Sequence, residues 1–515
     1  MTDHVVLDGT GLSPHQLQRI AAGATVSLTP GSIEQMANGR RIVDRYLQQS
    51  IPAYGLTTGL GMRADQLLTP EAAAEFSYRT VRGRAQAVGP LLSPQEVRAV
   101  MAVRLNTMLT GASGASADLA PALVNALNNG FVAAMPRIGS IGTGDLVAMA
   151  ALAHALIGEG EAIVGGQRVG AAEGLAQAGI PPLHLLPKDG AVLCNNTAFS
   201  SALAALASVA SRTTLLSLQV AGALSLEGFV GNLSPLSSVA LRARPQPGQV
   251  EAGDQLRWLL DDGPLGRPGA ARRLQDPLSF RCMAQVHGAA FAALADLDEA
   301  LDVDLNSSSD NPVVIIEEDL CVSTGNFHLP RLTQTLDGLA RAMAWCATDS
   351  VSRVQRLMHA AHSGLPALLS SDRPDTAGFG PLLKPMEALR AEIVHLSSPV
   401  PVLASHNADG VEDSATFAAL ASAKLSDLIG KLDLLVAFEL VAGCQAIDLR
   451  PGGASGAEAE IAPSLVSVRT AVREHCRFID EDRPIGREIE SIAADLVTTG
   501  RLIAAAGLST AADYE

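Results

Sequence analysis

The sequence predicts a mainly α-helical protein: a bundle of long helices joined to a loop-rich region that carries polar, glycine-containing segments. Three observations predict it. Ala and Leu recur at three- and four-residue spacing through 92–110, 117–129, 197–227, 283–303, 329–362, 412–443 and 489–507, which gathers apolar side chains on helix faces. Several of these stretches run past about 25 residues, a length that favours long bundled helices over a globule of short ones. Strand signals are few, and the polar segments fall between the apolar runs rather than within them.

Taken in order, Ser93 and Glu96 form a capping-box pattern before the 92–110 run, with side chain and backbone each able to satisfy the other's end. Glu161–Val169 reads as a hairpin turning at Gly165-Gly166. The most apolar region, Thr197–Leu226, contains Arg212, Gln219 and many Ser and Thr. A membrane span wants about 20 predominantly apolar residues, so this region reads as a buried helix and no membrane association is expected. Val313–Glu317 and Leu320–Ser323 read as a second hairpin over Glu317-Glu318-Asp319. Gly and Pro cluster in 234–274 and 363–386, candidate surface loops or lids. The boundary expected from this pattern sets an N-terminal active-site domain at 1–200 and a bundle with C-terminal helices at 201–515. Helices apolar nearly all round must be covered on several sides, which predicts subunit association.

Composition narrows the function. The 515 residues carry 37 Lys and Arg against 53 Asp and Glu, a net charge of −16. Nucleic-acid affinity rests on clustered cations, so that class is excluded. Apolar residues make up 48% and charged residues 17%, a globular composition. Aromatics, at 3%, are too sparse for a stacking platform. The six cysteines, Cys194, Cys282, Cys321, Cys346, Cys444 and Cys476, are dispersed and form no CxxC pair. With an N-terminus that lacks a signal-type apolar core, they point to free thiols in a reducing cytoplasm. His359 and His362 lie three apart without a third ligand at matching spacing, so no metal is expected.

Chemistry is concentrated in the loops. Tyr54-Gly55-Leu56-Thr57-Thr58-Gly59-Leu60-Gly61 sets one of only four tyrosines among three glycines, whose freedom would let the backbone hold a phenol over a cavity. Pro136–Leu146 alternates glycines with small polar residues before an apolar helix, with Asp145 at its start. It lacks the flanking strands and the Lys-Ser/Thr of a phosphate cradle, so nucleotide binding is rejected. Cys194-Asn195-Asn196-Thr197, Gln275–Cys282, Ser309-Asp310-Asn311-Pro312, Gly325-Asn326-Phe327-His328 and Cys444–Arg450 each place an amide, carboxylate or guanidinium at the end of an apolar run. Singly, each also reads as a turn, cap or buried polar contact.

The order and spacing of these segments, with Asp480-Glu481-Asp482-Arg483-Pro484 near the end, resemble the histidine/phenylalanine ammonia-lyase family in its short bacterial form, over roughly residues 5–510. The resemblance implies a long-helix bundle of the ammonia-lyase/fumarase-like type. It also implies a homotetramer with active sites shared among three subunits, and elimination of ammonia from an amino-acid substrate. Carried over by motif, Tyr54 matches the base that takes the β-proton, and Arg281 the anchor for the substrate carboxylate. Asn195 joins them as a catalytic residue. Gln275, Phe327 and Asn326 fall in pocket motifs. A planar guanidinium suits a carboxylate because it donates two parallel hydrogen bonds.

The departures matter as much. The family's Ala-Ser-Gly, which cyclises into a methylidene-imidazolone electrophile, is replaced by Gly142-Thr143-Gly144 in a loop one residue shorter. A dehydrated threonine would carry an extra methyl on the electrophilic carbon. The pocket tyrosine becomes Leu278 and the pocket histidine Arg84, a fixed cation. The acidic pocket residue is Asp409 or Glu412. Three readings follow. The first is a carbon–nitrogen lyase that needs no such electrophile, because its substrate bears an activated amine or it runs a related addition or cyclisation; no cofactor is expected. The second is a conventional ammonia-lyase or aminomutase with an electrophile made from 142–144. The third is a non-catalytic oligomeric relative.

Overall fold

The computed structural model describes residues 3–370, 375–450 and 460–508. It is mainly helical, and its longest helices are Ala198–Phe229, Met283–Asn306, Pro330–Met358 and Ala418–Asp448. The chain divides into two compact units. The first comprises residues 1–209, 297–336 and 400–423, and the second residues 210–296, 337–399 and 424–515.

In the first unit, Pro94–Leu109 is the core helix. Ser93 and Glu96 close its N-terminus as a reciprocal capping box, and every residue from Val97 to Leu109 is buried. Its two arginines are buried with partners. Arg98 donates to the carbonyls of Ile20, Ala24 and Leu127, at or just beyond the ends of two helices, where carbonyls have acceptor capacity left over. Arg104 forms a two-bond ion pair with Asp310, fully enclosed.

All five two-stranded sheets of the described residues lie in this unit. The two expected hairpins are present. Glu161–Val164 pairs with Gln167–Gly170, with Gly165 and Gly166 both at positive φ, as a two-residue hairpin turn requires. Val313–Ile315 pairs with Leu320–Val322. Three further pairs were not foreseen. His4–Leu7 runs parallel to Thr25–Leu28, Val88–Leu91 pairs with Pro136–Ile138, and Ala404–Asn407 pairs with Glu412–Ser414. The last shortens the helix expected from residue 412: Ala408, Asp409 and Gly410 take positive φ, the chain doubles back, and the helix starts at Ala418.

Among its described residues the second unit has helices and loops but no strand. Arg353 and Glu439 form a wholly buried ion pair, completed by hydroxyls of Ser225 and Ser350. Removing one partner of such a pair costs about 3–5 kcal/mol, because the other charge is left buried alone. The run expected over 329–362 breaks at His359, which is extended, and resumes as Ala360–Ser363. Within the 363–386 loop, residues 371–374 lie outside the described residues. The 489–507 run is likewise divided, by Gly500 at φ 74°. The helix long and apolar enough to cross a membrane, within Asp189–Phe229, is 94% buried over its most apolar window, as a core helix is. All six cysteines are free.

Candidate active site

A cavity of about 640 Å³ opens in the first unit, a volume suited to a small metabolite. Tyr54, Thr143, Asn195, Phe327 and Glu412 meet around it. They arrive from segments far apart in sequence, each held by its own backbone bonds.

Tyr54 sits at the end of a turn in which Ala53 O accepts from Leu56, Thr57 and Thr58 N–H groups. The Thr57 hydroxyl bridges Ala53 N and Ile51 O at 2.8 and 2.7 Å. Gly61 N–H donates to the phenol oxygen at 3.0 Å. That bond leaves the phenol's own O–H free to exchange a proton with a molecule in the cavity.

Opposite stands the 139–145 loop. Ile141 O accepts from the N–H groups of Thr416 and Phe417, Gly144 N–H donates to Phe327 O at 3.3 Å, and Asp145 N–H to Asn196 O at 2.7 Å. Gly142 O accepts from the Thr416 hydroxyl at 2.8 Å. Thr143 pairs with His328 as an isolated antiparallel bridge. Gly142 and Gly144 both have φ 77°. A Cβ at Gly142 would collide with the Thr416 hydroxyl, and one at Gly144 would come within 2.7 Å of Asn195 Oδ1. The buried Asp145 carboxylate accepts from Ser140 Oγ and from Ser200 N and Oγ. Burial pushes its carboxyl above the usual carboxylate range, against the pull of those hydrogen bonds.

Asn195 ends the short Asp189–Cys194 helix and is buried. Its amide donates to Asn311 O at 3.0 Å. Asn311 follows Asp310, so the buried Arg104 pair fixes this wall. The Asn311 side chain accepts from Ser323 Oγ and Thr324 N.

Of the two acidic candidates, Glu412 lines the cavity and Asp409 does not. Asn326 is exposed and outside the lining, although its neighbours Gly325 and Phe327 belong to it. Arg84 lines a second cavity, of about 430 Å³. Gln275, Leu278 and Arg281 belong to the second unit. There Leu278 and Gln275 are exposed, while the Phe280 ring stacks on Phe229 at 4.2 Å. Arg281 Nε is buried with no hydrogen-bond partner among the described residues. Asn311, Ser323, Thr324, His328 and Ser414 also line the first cavity. For Asn311 and His328 the signal was present in the SDNP and GNFH segments; the serines and Thr324 had none.

The lining includes the carboxylates of Glu412 and Asp413 and the rings of Tyr54, Phe327 and His328, and among the described residues neither Lys nor Arg. Such a wall attracts a cation through both its charges and its ring faces. Among the described residues no group of three or more His, Cys, Asp or Glu is arranged to hold a metal.

Comparison with known proteins agrees with this architecture. Residues 12–474 match the aromatic amino acid lyase family. A histidine ammonia-lyase from Myxococcus xanthus is 32% identical over 98% of the chain and 99% of its own length. Among solved structures, the ergothioneine-degrading enzyme ergothionase from Treponema denticola, in complex with desmethyl-ergothioneine sulfonic acid, superposes with a TM-score of 0.91. It is 28% identical and covers 97% of this chain and 100% of its own. Tyrosine aminomutase from Streptomyces globisporus gives the same TM-score at 28% identity, with 98% of each chain covered. The chain therefore belongs to the aromatic amino acid lyase family, and it is a carbon–nitrogen lyase.

Proposed function

We propose that the enzyme eliminates a tertiary amine from an α-trimethylammonio acid, without a methylidene-imidazolone. The observation that carries this reading is the cavity wall: the Glu412 and Asp413 carboxylates, the Phe327 and His328 rings and, among the described residues, neither Lys nor Arg, around the phenol of Tyr54. Tyr54, as the phenolate, takes the β-proton. The C–H electron pair becomes the new double bond, and the C–N bond breaks with its electrons going to nitrogen, which leaves as a neutral tertiary amine. The proton then passes from Tyr54 to solvent. A quaternary nitrogen has no N–H to lose, so it stays cationic beside a base strong enough to take a proton from carbon. A primary ammonium in that position would lose its N–H proton instead, and then needs an electrophile to capture it. Ergothioneine is a trimethylammonio acid with an imidazole-type side chain, and the full-length likeness to ergothionase makes it the first substrate to test.

The residues at 142–144 do not fit the family's electrophile. The loop is one residue short, Thr143 would add a methyl at the reacting carbon, and the Gly144 nitrogen needed for ring closure is bonded across to Phe327 O. The alanine of the usual precursor would collide with the Thr416 hydroxyl if set on the Gly142 backbone.

We further read the enzyme as a cytoplasmic homotetramer in which Arg281 of one copy anchors the carboxylate of a substrate held by another. The buried, unpartnered Arg281 Nε and the exposed Trp345 support this reading. The experiment is an assay of trimethylamine release from ergothioneine, run beside ammonia release from histidine, together with the intact mass of the chain. Amine release with the unmodified mass is expected. Ammonia release by a chain lighter by two waters overturns the proposal.

A further inference from the structure

The second cavity has a different character. It is lined by Arg63, Arg79 and Arg84, with Gln66 and Thr80, and among the described residues no Asp or Glu is part of its wall. Arg79 is paired with Glu75 at 2.6 Å. Arg84, half-buried, makes one long bond, to Thr80 O at 3.5 Å. The Thr80 hydroxyl is buried, the residue being 1% exposed, and has no hydrogen-bond partner among the described residues. A buried hydroxyl left without a partner is unusual in a folded protein. Guanidiniums gathered in one recess repel each other unless an anion sits among them.

We propose that this cavity is a binding site for a small oxyanion, which the Arg63 and Arg84 guanidiniums grip and to which the Thr80 hydroxyl donates. Planar guanidiniums match the paired oxygens of phosphate, sulfonate or carboxylate. Among the described residues the two linings share none, so anion binding can be measured apart from the reaction proposed for the first cavity. They do share a loop: Gly59 and Leu60 border the oxyanion cavity, while Gly61 borders the first and donates to Tyr54.

The test is calorimetric titration of the full-length enzyme with inorganic phosphate at low ionic strength. Saturable binding is expected, at one phosphate per chain and with a dissociation constant below about 10 mM. Arg84→Gln should weaken it by about tenfold or more, through loss of a charge and its hydrogen bonds, and Thr80→Val by several-fold, through loss of one hydroxyl donor to the anion. Tyr54→Phe should bind phosphate like the wild type. Thr80→Val exchanges one buried hydroxyl for a methyl, so it reports on the site even if Arg84→Gln fails to fold. Steady-state kinetics with phosphate added separates two sources of the anion. Competition with the substrate means that the cavity takes an anionic arm of the substrate itself, and inhibition or activation without competition means a separate solute. Non-saturable heat in the wild type, or unchanged binding in a folded Thr80→Val variant, overturns the proposal.

Discussion

The two glycine-containing loops that face each other across the first cavity are built to opposite standards of rigidity. In the 139–145 loop nearly every polar group near the cavity is engaged: the carbonyls of Ile141 and Gly142, the N–H groups of Gly144 and Asp145, and the Asp145 carboxylate all have partners. The 54–61 loop is braced at its base by Ala53 O and Thr57, but at the cavity the phenol of Tyr54 has a single bond, from Gly61 N–H. The difference separates a wall from a reacting group. A wall gains from being fixed, whereas a base must exchange a proton and so keeps one side unengaged. Substitutions in the two loops should therefore fail differently, those at Tyr54 in turnover and those around Asp145 in stability.

The largest effect is expected at Tyr54. Tyr54→Phe removes the proton acceptor and the partner of Gly61 N–H while keeping the ring. Turnover should fall by about 100- to 10,000-fold, the range for loss of a general base, with little change in the thermal midpoint. A variant retaining more than a tenth of wild-type turnover would show that Tyr54 is not the base.

Next comes Asp145. Asp145→Ala strips the partner from Ser200 N and Oγ and from Ser140 inside the fold. About 2–3 kcal/mol of stability should be lost, read from urea unfolding, because buried donors are left without an acceptor. The pH dependence sharpens the point. Burial raises this carboxyl in the folded state above its reference value of 3.8, so the folded chain holds the proton to higher pH than the unfolded chain. Its contribution to stability is greatest below that reference value and falls as pH rises through the raised one. Asp145→Asn keeps an acceptor oxygen but cannot ionise. Its deficit should be smaller than that of Asp145→Ala and should shrink as the pH is raised; a deficit that grows with pH would contradict the assignment.

Thr416 ties the wall to the Ala418–Asp448 helix. Thr416→Val leaves Gly142 O without its hydroxyl donor and should cost about 1–2 kcal/mol, the scale of one buried acceptor left unpaired. A melting curve matching that of the wild type would mean that the loop is held by its remaining bonds alone.

This difference between the loops was only partly legible in the sequence. Tyr54, Thr143, Asn195 and Phe327 stand in short motifs with unusual residue types, and the structure brings them to one cavity. Thr416 carried no such signal. The Ala and Leu spacing extends the following helix back to 412, and periodicity cannot report that Ala408 and Asp409 adopt positive φ and turn 404–414 into a hairpin. Because of that hairpin Glu412, rather than Asp409, reaches the cavity, and the Thr416 hydroxyl meets Gly142 O. Arg84 shows the converse. Its neighbourhood in sequence is readable, but which of two recesses its side chain enters depends on how the chain folds over 59–68, where Thr58 bridges Leu67 and Gly59 N–H donates to Gln66 O. Those contacts are local in space but have no compositional mark.

The smallest effect is expected at Thr143, and it is the one that decides between chemistries. Thr143 is buried at the cavity wall, and its backbone is paired with His328. Thr143→Ala deletes a hydroxyl and a methyl while leaving that pairing intact. If Thr143 serves only as wall, activity on a trimethylammonio acid should fall by less than about tenfold, or about 1.4 kcal/mol of lost positioning. If Thr143 were the precursor of a covalent electrophile, the same substitution would remove the only hydroxyl available for dehydration in that triplet, and activity would vanish as it does when a covalent step is deleted. The ultraviolet difference spectrum between the wild type and Thr143→Ala adds a second, assay-independent readout, because a cyclised and dehydrated triplet is a conjugated chromophore and an unmodified one is not. A flat difference spectrum with a live Thr143→Ala and a dead Tyr54→Phe leaves the base as the one group in the two loops that the reaction cannot lose. An absorbing wild type with a dead Thr143→Ala would make the fixed loop the reactive one, and the contrast between the two loops would have to be drawn the other way round.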